Sequence, residues 1–169
     1  KINFIIFFAD DIYEIVTDIE TPSLCVKKGT LRLMDPHQIM FHGDEKSVVT
    51  SISAKSIKEI FVQYSTNGLF SSNLRFYVKS QKIDTNIKNS IINEPDRFWY
   101  YNNGLIITCE DYKINKDNIE LSNFSIVNGG QTTNLIGNTI FDKDFPVLCK
   151  IIRNKYNDKD ENTLFLSKI

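Results

Sequence analysis

The 169-residue chain contains no apolar run long enough to span a bilayer. Its apolar start, residues 2–9, is short and passes at once into Asp10 and Asp11. It therefore reads as a strand, not as a signal peptide or membrane segment. Cysteine is scarce: Cys25, Cys109 and Cys149 are odd in number and widely spaced, two of them within apolar strand-like runs. They read as buried free thiols in a reducing cytoplasm. The two histidines, His37 and His42, stand near Asp35 and Asp44, but their spacing fits no common zinc arrangement and no metal site is assigned. A net charge of −1 removes any global electrostatic argument for nucleic acid. Low-complexity tracts are missing, which excludes disorder as the organising theme. No Gly-x-x-x-x-Gly-Lys-Ser/Thr loop occurs, so the chain is not a P-loop enzyme.

What is present is the composition of an ordinary globular protein, 41% hydrophobic and 24% charged. Residues 1–46 read as an N-terminal strand and turn region, the edge of a preceding domain, with a strand over 4–8 and a helix over 11–19. Pro22, Gly29, Pro36 and Gly43 punctuate its turns. From residue 47 the pattern sharpens. A strand over 48–52 leads to Ser53, a cap for a helix carrying Ile57, Ile60, Phe61 and Tyr64 on one face, which Asn67-Gly68 stops. Residues 69–78 read as extended, so that Asn73 and Arg75 share a strand face. Asp84 is expected to cap a helix with Ile87 and Ile91, ending before Pro95.

Two corners carry the chemistry. The first is Phe98-Trp99-Tyr100-Tyr101-Asn102-Asn103-Gly104, followed by a strand over 105–109. Four consecutive aromatics cannot all face one core, so one or two must be exposed or line a cavity. The second is Ile126-Val127-Asn128-Gly129-Gly130-Gln131-Thr132-Thr133, where an apolar run breaks at an Asn-Gly-Gly turn and enters a helix with Leu135, Ile136 and Ile140 on one face. Glycines allow positive φ and close approach, while the free N–H groups of a helix start suit an anion or polar ligand. A turn lies over 113–118. Strand, helix and strand across 124–153 suggest a βαβ unit, normally parallel. The fold class is α+β, α/β-like, with a mixed sheet, flanking helices and the two corners adjacent at one sheet edge.

These two motifs, with Leu69-Phe70-x-x-Asn73-x-Arg75 before them, resemble the AIPR family, named for abortive infection and phage resistance in bacteria. The resemblance covers roughly residues 48–169, which makes 47–169 an AIPR-like core domain. Gly130 stands where the family more often carries a larger residue. The family usually continues, after a helix like 158–169, into an Asn- and Gln-bearing segment. The resemblance therefore implies a core truncated at its C-terminus, part of a longer defence protein whose other domains are partners and share the site. More distantly, the glycine corner is similar to the Asp-Gly-Gln-Gln-Arg turn of ParB-like nucleotide-hydrolysing domains, with Asn128 in place of the acid and Thr132 in place of the arginine. Asn is a poor general base, so hydrolysis does not follow.

The candidate ligand-binding residues are Asn73, Arg75, Trp99, Tyr101, Asn102, Asn103, Gly104, Asn128, Gly129, Gly130, Gln131 and Thr132. No catalytic residue is assigned. In the first reading they hold a nucleotide or nucleic-acid phosphate: amides of 129–131, the Thr132 hydroxyl and the Arg75 fork cradle phosphate oxygens, and Tyr101 or Trp99 stacks on a base. Mg2+ is the cofactor to expect if a nucleotide is used. A local cluster, Arg75, Lys79, Lys82 and Lys88 against Asp84, is compatible with this. In the alternative the amide-rich groove binds a phage-derived ligand or a partner protein without catalysis. A metal-dependent nuclease ranks third, from Pro95-Asp96 with Asp111-Tyr112-Lys113, which spell a PD-x-DxK pattern.

Overall fold

The computed structural model describes residues 25–43, 47–73, 80–153 and 164–169. The expected strand over 4–8 and helix over 11–19, together with Arg75, Lys79 and the first half of the expected terminal helix over 158–169, lie outside the described residues. Within them, β-branched and aliphatic runs form six strands: β1 Val26–Arg32, β2 Met40–His42, β3 Ser47–Ser53, β4 Leu105–Asn115, β5 Asn118–Asn128 and β6 Pro146–Arg153. The helices are α1 Ala54–Tyr64, α2 Gln81–Asn93, α3 Phe98–Tyr101 and α4 Gly130–Asn138, with a 3-10 turn at Pro95–Arg97 before α3 and a last helical turn over 164–167. The strands make one mixed sheet in the order β1-β5-β4-β6-β3-β2. The architecture is α+β.

Only the β4–β6 pair is parallel among the described ladders, with Leu105 opposite Cys149 and Thr108 opposite Ile152. β5 is antiparallel to β4 and lies beyond it, so β5 and β6 run in opposite directions. The crossover expected over 124–153 is therefore corrected: α4 lies within the connection of the parallel pair β4 and β6, not between parallel neighbours β5 and β6. Its physical origin is the β4–β5 hairpin, which turns at Lys116 (φ 51°) and Asp117, a tighter reversal than expected. β5 ends, and β6 begins, at the same end of the sheet as the start of β4.

Several local expectations shift by a turn. Ser53 does cap α1, its Oγ accepting from the Ser56 N–H at 3.2 Å, and α1 closes at Tyr64, three residues before Asn67. Residues 69–72 are turns, not strand, so the extended reading fails there. Asp84 sits in the first turn of α2, where its charge suits the helix dipole, while Ser80 holds the flanking position. Ile140 lies past the end of α4 and is 86% exposed, off the face that Leu135 and Ile136 bury.

α1 and α4 pack on each other, α1 also against β1 and β3, and α4 against β4. Leu31, Ile52, Ile57, Leu105, Ile107 and Phe124 lie at the centre of the core, each at 2% exposure or less. Leu121 and Phe124 are three apart yet both buried; between them Asn123 adopts φ 46°, which rephases the alternation of the strand. Burying such side chains is worth roughly 1.5–3 kcal/mol each. The described ion pairs are half-exposed and worth roughly 0–1 kcal/mol apiece, so the core carries the fold.

One polar knot ties the α1 start to the sheet. Asp144 Oδ1 accepts from the backbone N–H groups of Lys55 and Phe145, both at 3.0 Å. Its Oδ2 accepts from Ser53 Oγ at 2.6 Å and Arg32 Nη2 at 3.1 Å. A carboxylate thus closes the helix N-terminus from 91 residues away in sequence. Asp144→Ala should reduce stability by about 1–2 kcal/mol, read as a lower urea midpoint at unchanged slope. Gly137→Ala should do at least as much, about 1–3 kcal/mol, because an added Cβ would collide with the buried Phe61 ring where α4 meets α1. Burial pushes the Cys109 thiol from 9.0 up to about 12, with Asp111 adding to the rise and Arg153 opposing it, and burial likewise raises Cys149. Folded thiols then hold protons that the unfolded chain releases above pH 9, so stability should fall between about pH 9 and 12. Mass spectrometry after iodoacetamide treatment at pH 8 should find Cys109 and Cys149 unmodified until urea is added.

Candidate functional site

At the start of β4 and the end of β5 the two corners meet. Gly104 has φ 78° and Gly129 φ 88°, both in the left-handed region that favours glycine. A Cβ on Gly129 would stand 2.7 Å from the Gly104 carbonyl oxygen and 2.5 Å from Leu105 Cδ2. A Cβ on Gly104 would overlap the Leu148 backbone of β6. The backbones approach so closely that neither position has room for a side chain. Asn102 then links the corners directly: its Nδ2 donates to Thr132 Oγ1 at 3.1 Å, and its Oδ1 accepts from the Gly104 N–H at 2.9 Å.

The helix start is built from the same turn. Gly129, not Asn128, takes the N-cap position of α4; the Asn128 side chain instead accepts from the Gly129 N–H at 2.7 Å. The first helical hydrogen bond is Thr133 N–H to the Gly129 carbonyl at 2.9 Å, reinforced by Thr133 Oγ1 at 3.0 Å. Gly129 has no side chain with which to cap the N–H groups ahead of it. Gln131 turns away to α2, its Nε2 donating to Asp84 Oδ1 at 2.6 Å. Thr132 is buried at 7% exposure and faces Asn102.

Asn73 joins this assembly by another route. The Ile126 N–H donates to the Leu69 carbonyl at 2.8 Å, so residues 69–72 lie along the end of β5 and deliver Asn73 to Gly130. A Cβ on Gly130 would stand 2.7 Å from Asn73 Nδ2. Arg75 lies outside the described residues.

The aromatic run is the single-turn helix α3. Phe98 is its anchor at 1% exposure, packed on Phe145 with ring centroids 4.7 Å apart. Trp99, Tyr100 and Tyr101 point outward at 37%, 79% and 57% exposure. The Arg97 side chain lies beside Tyr101, whose influence, with that of Glu94, raises the arginine pKa. Between α2 and α3 opens a groove of about 340 Å3, lined by Asn86, Ile87, Asn89, Ser90, Phe98, Tyr101 and Asn102.

Asn73, Asn102, Gly104, Gly129, Gly130 and Thr132 are thus brought together, with Tyr101 at the adjoining groove. Asn103 and Asn128 are exposed at the same two corners, and Trp99 is partly exposed on α3. Asn86, Asn89 and Ser90 were not singled out in the sequence. A signal was there: Asn86, Asn89 and Asn93 recur at helical spacing in α2, and asparagine is a poor helix former that needs a reason to stand on one face. The nuclease pattern is not assembled: Asp96 pairs with Lys143 at 2.7 Å and Asp111 with Arg153 at 3.2 Å. Among the described residues no group of three His, Cys, Asp or Glu side chains is placed to hold a metal ion, and no helix is long and apolar enough to cross a membrane.

No curated protein and no solved structure matches the chain. A family model described as AIPR protein matches residues 70–169, more than half of the sequence. That span takes in α2, the aromatic helix, the groove between them and both glycine corners. The chain belongs to the AIPR family and is a domain of the abortive-infection, phage-resistance type.

Proposed function

We propose that this AIPR domain binds a nucleotide or the sugar-phosphate end of a nucleic acid where the two corners meet. The observation that carries this reading is the Asn102–Thr132 hydrogen bond, which joins the corners beside a groove of small-ligand size. The N–H groups at the start of α4 are the phosphate donors, backed by the helix dipole. Tyr101 is the stacking surface at the rim of the groove. In the whole defence protein, binding at this point would couple the presence of a phage-derived or phage-altered ligand to the remaining domains. A second reading, docking of a partner protein, draws support from the exposed Tyr100 and Ile92 at 79% and 56%.

A thermal-shift series with nucleoside mono-, di- and triphosphates and short single strands, with and without Mg2+, separates the two. A ligand at a hundred times its Kd adds about 2.7 kcal/mol, a rise in Tm of roughly 5–10 °C for a chain of this size. Asn128→Ala, which removes only the side chain that accepts from Gly129 N–H, should shrink that rise. No rise with any of these ligands would reject the nucleotide reading in favour of protein docking.

A further inference from the structure

We propose that Gln131 is a positioning residue: its hydrogen bond to Asp84 latches α2 as a hinged lid along the groove beside the corner. The function of the lid rests on the ligand reading of that corner, whereas hinge and latch are properties of the chain alone, so the two can fail separately. α2 is fastened unevenly. Its buried side chain is Ile91, at 1% exposure in the last turn, and Ile87 one turn earlier is half-buried against the same core. Glu94 then leaves helical geometry at φ −134° and ψ 47°, and Pro95, which has no N–H to continue the ladder, starts the 3-10 turn. That end is the hinge.

The first two turns have no such anchor. Lys82, Ile83, Thr85 and Asn86 are exposed, and the Ser80 side chain makes no cap hydrogen bond. Thr85, Ser90 and Asn93 donate to Gln81, Asn86 and Asn89 within the helix itself. Asp84 reaches across instead, its Oδ1 accepting from Gln131 Nε2 of α4 at 2.6 Å. Asparagines at 86, 89 and 93 lower the intrinsic helix preference, and a helix of 13 residues released from its neighbours is marginal in water. Losing the latch therefore frees the first two turns. Because Asn86, Asn89 and Ser90 stand on one wall of the groove and Tyr101 and Asn102 on the other, opening α2 widens the groove, and a ligand that touches both walls closes it. Gln131 lies in the turn of α4 that carries the proposed phosphate donors, so the latch joins the lid to the site it covers.

Hydrogen exchange on the 169-residue chain, read by mass spectrometry, tests the latch. Amides of residues 82–90 should exchange at least about a hundredfold faster than those of β4 and β5, because α2 opens without global unfolding. Gln131→Glu sets a second carboxylate against Asp84 and should speed exchange over 82–90 about thirtyfold or more. Asp84→Asn keeps an acceptor oxygen and should change that exchange by about threefold at most. Together the two substitutions reverse the roles, with the donor on α2 and the acceptor on α4, and should bring exchange back to within about threefold of Asp84→Asn alone. A side chain that only filled space would show no such rescue. Exchange in β4 and β5 should be the same in all four chains. Saturating adenosine triphosphate should slow exchange over 82–90 in the parent chain by about tenfold. Equal acceleration by Gln131→Glu with and without Asp84→Asn would overturn the latch, and exchange over 82–90 as slow as in β4 and β5 would overturn the lid. A triphosphate that binds by calorimetry without slowing α2 would overturn the part of the lid in binding. No binding by the triphosphate would reject the nucleotide reading of the corner, and the ligand-free exchange would then decide the latch by itself.

Discussion

The meeting of Gly104 and Gly129 is the constraint on which the candidate site depends. Two strand ends in the middle of a six-stranded sheet approach so closely that a Cβ on either would enter the neighbouring backbone or Leu105. Positive φ at both positions turns each chain sharply away from the sheet. One turn leads back to the aromatic helix and the other forward into α4. Because both departures are forced at the same end, Asn102 and Thr132 reach hydrogen-bond distance across thirty residues of sequence. A larger residue at Gly129 would press on Leu105 and the Gly104 carbonyl, and one at Gly104 on the Leu148 backbone of β6.

Around that meeting point the remaining elements act as supports. Phe98 fastens the aromatic helix to Phe145 just before β6, leaving Tyr101 free of the core. Gln131 reaches Asp84, which fixes α2 beside α4 and sets the amide stripe of α2 against Tyr101. Asp144 holds the start of α1 in place, and α1 in turn packs on α4 through Phe61 and Gly137. Asn102 and Thr132 at the corner are engaged with each other, whereas Asn86 and Asn89 of α2 are exposed. Such a division suits a rigid anchoring corner beside an adaptable recognition wall.

Much of this was legible in local chemistry. Alternating and β-branched runs marked β3, β4, β5 and β6, and Ser53 announced the start of α1. Four aromatics in succession could not all be buried, and Phe98 alone is. Asn-Gly chemistry marked both corners because left-handed backbone is accessible to few residues. Errors arose where neighbouring contacts outweighed local preference. Residues 69–72 look like strand, yet they are turns whose Leu69 carbonyl and Ser72 N–H bond to Ile126 and Ser125 of β5.

The order strand, helix, strand over 118–153 reads the same whether the helix carries the chain across the sheet or returns it to the end it left. Periodicity along a chain reports burial of one face and is silent about direction. Strand direction was set by pairing: the hairpin placed β5 antiparallel to β4, and β6 then filled the other flank of β4 in parallel. The same distinction applies to the site. Residue types at the corners followed from backbone sterics and could be read one position at a time. That Asn86 and Asn89 stand opposite Tyr101 follows from how α2 packs beside α3 and α4, a matter of contacts between segments distant in sequence.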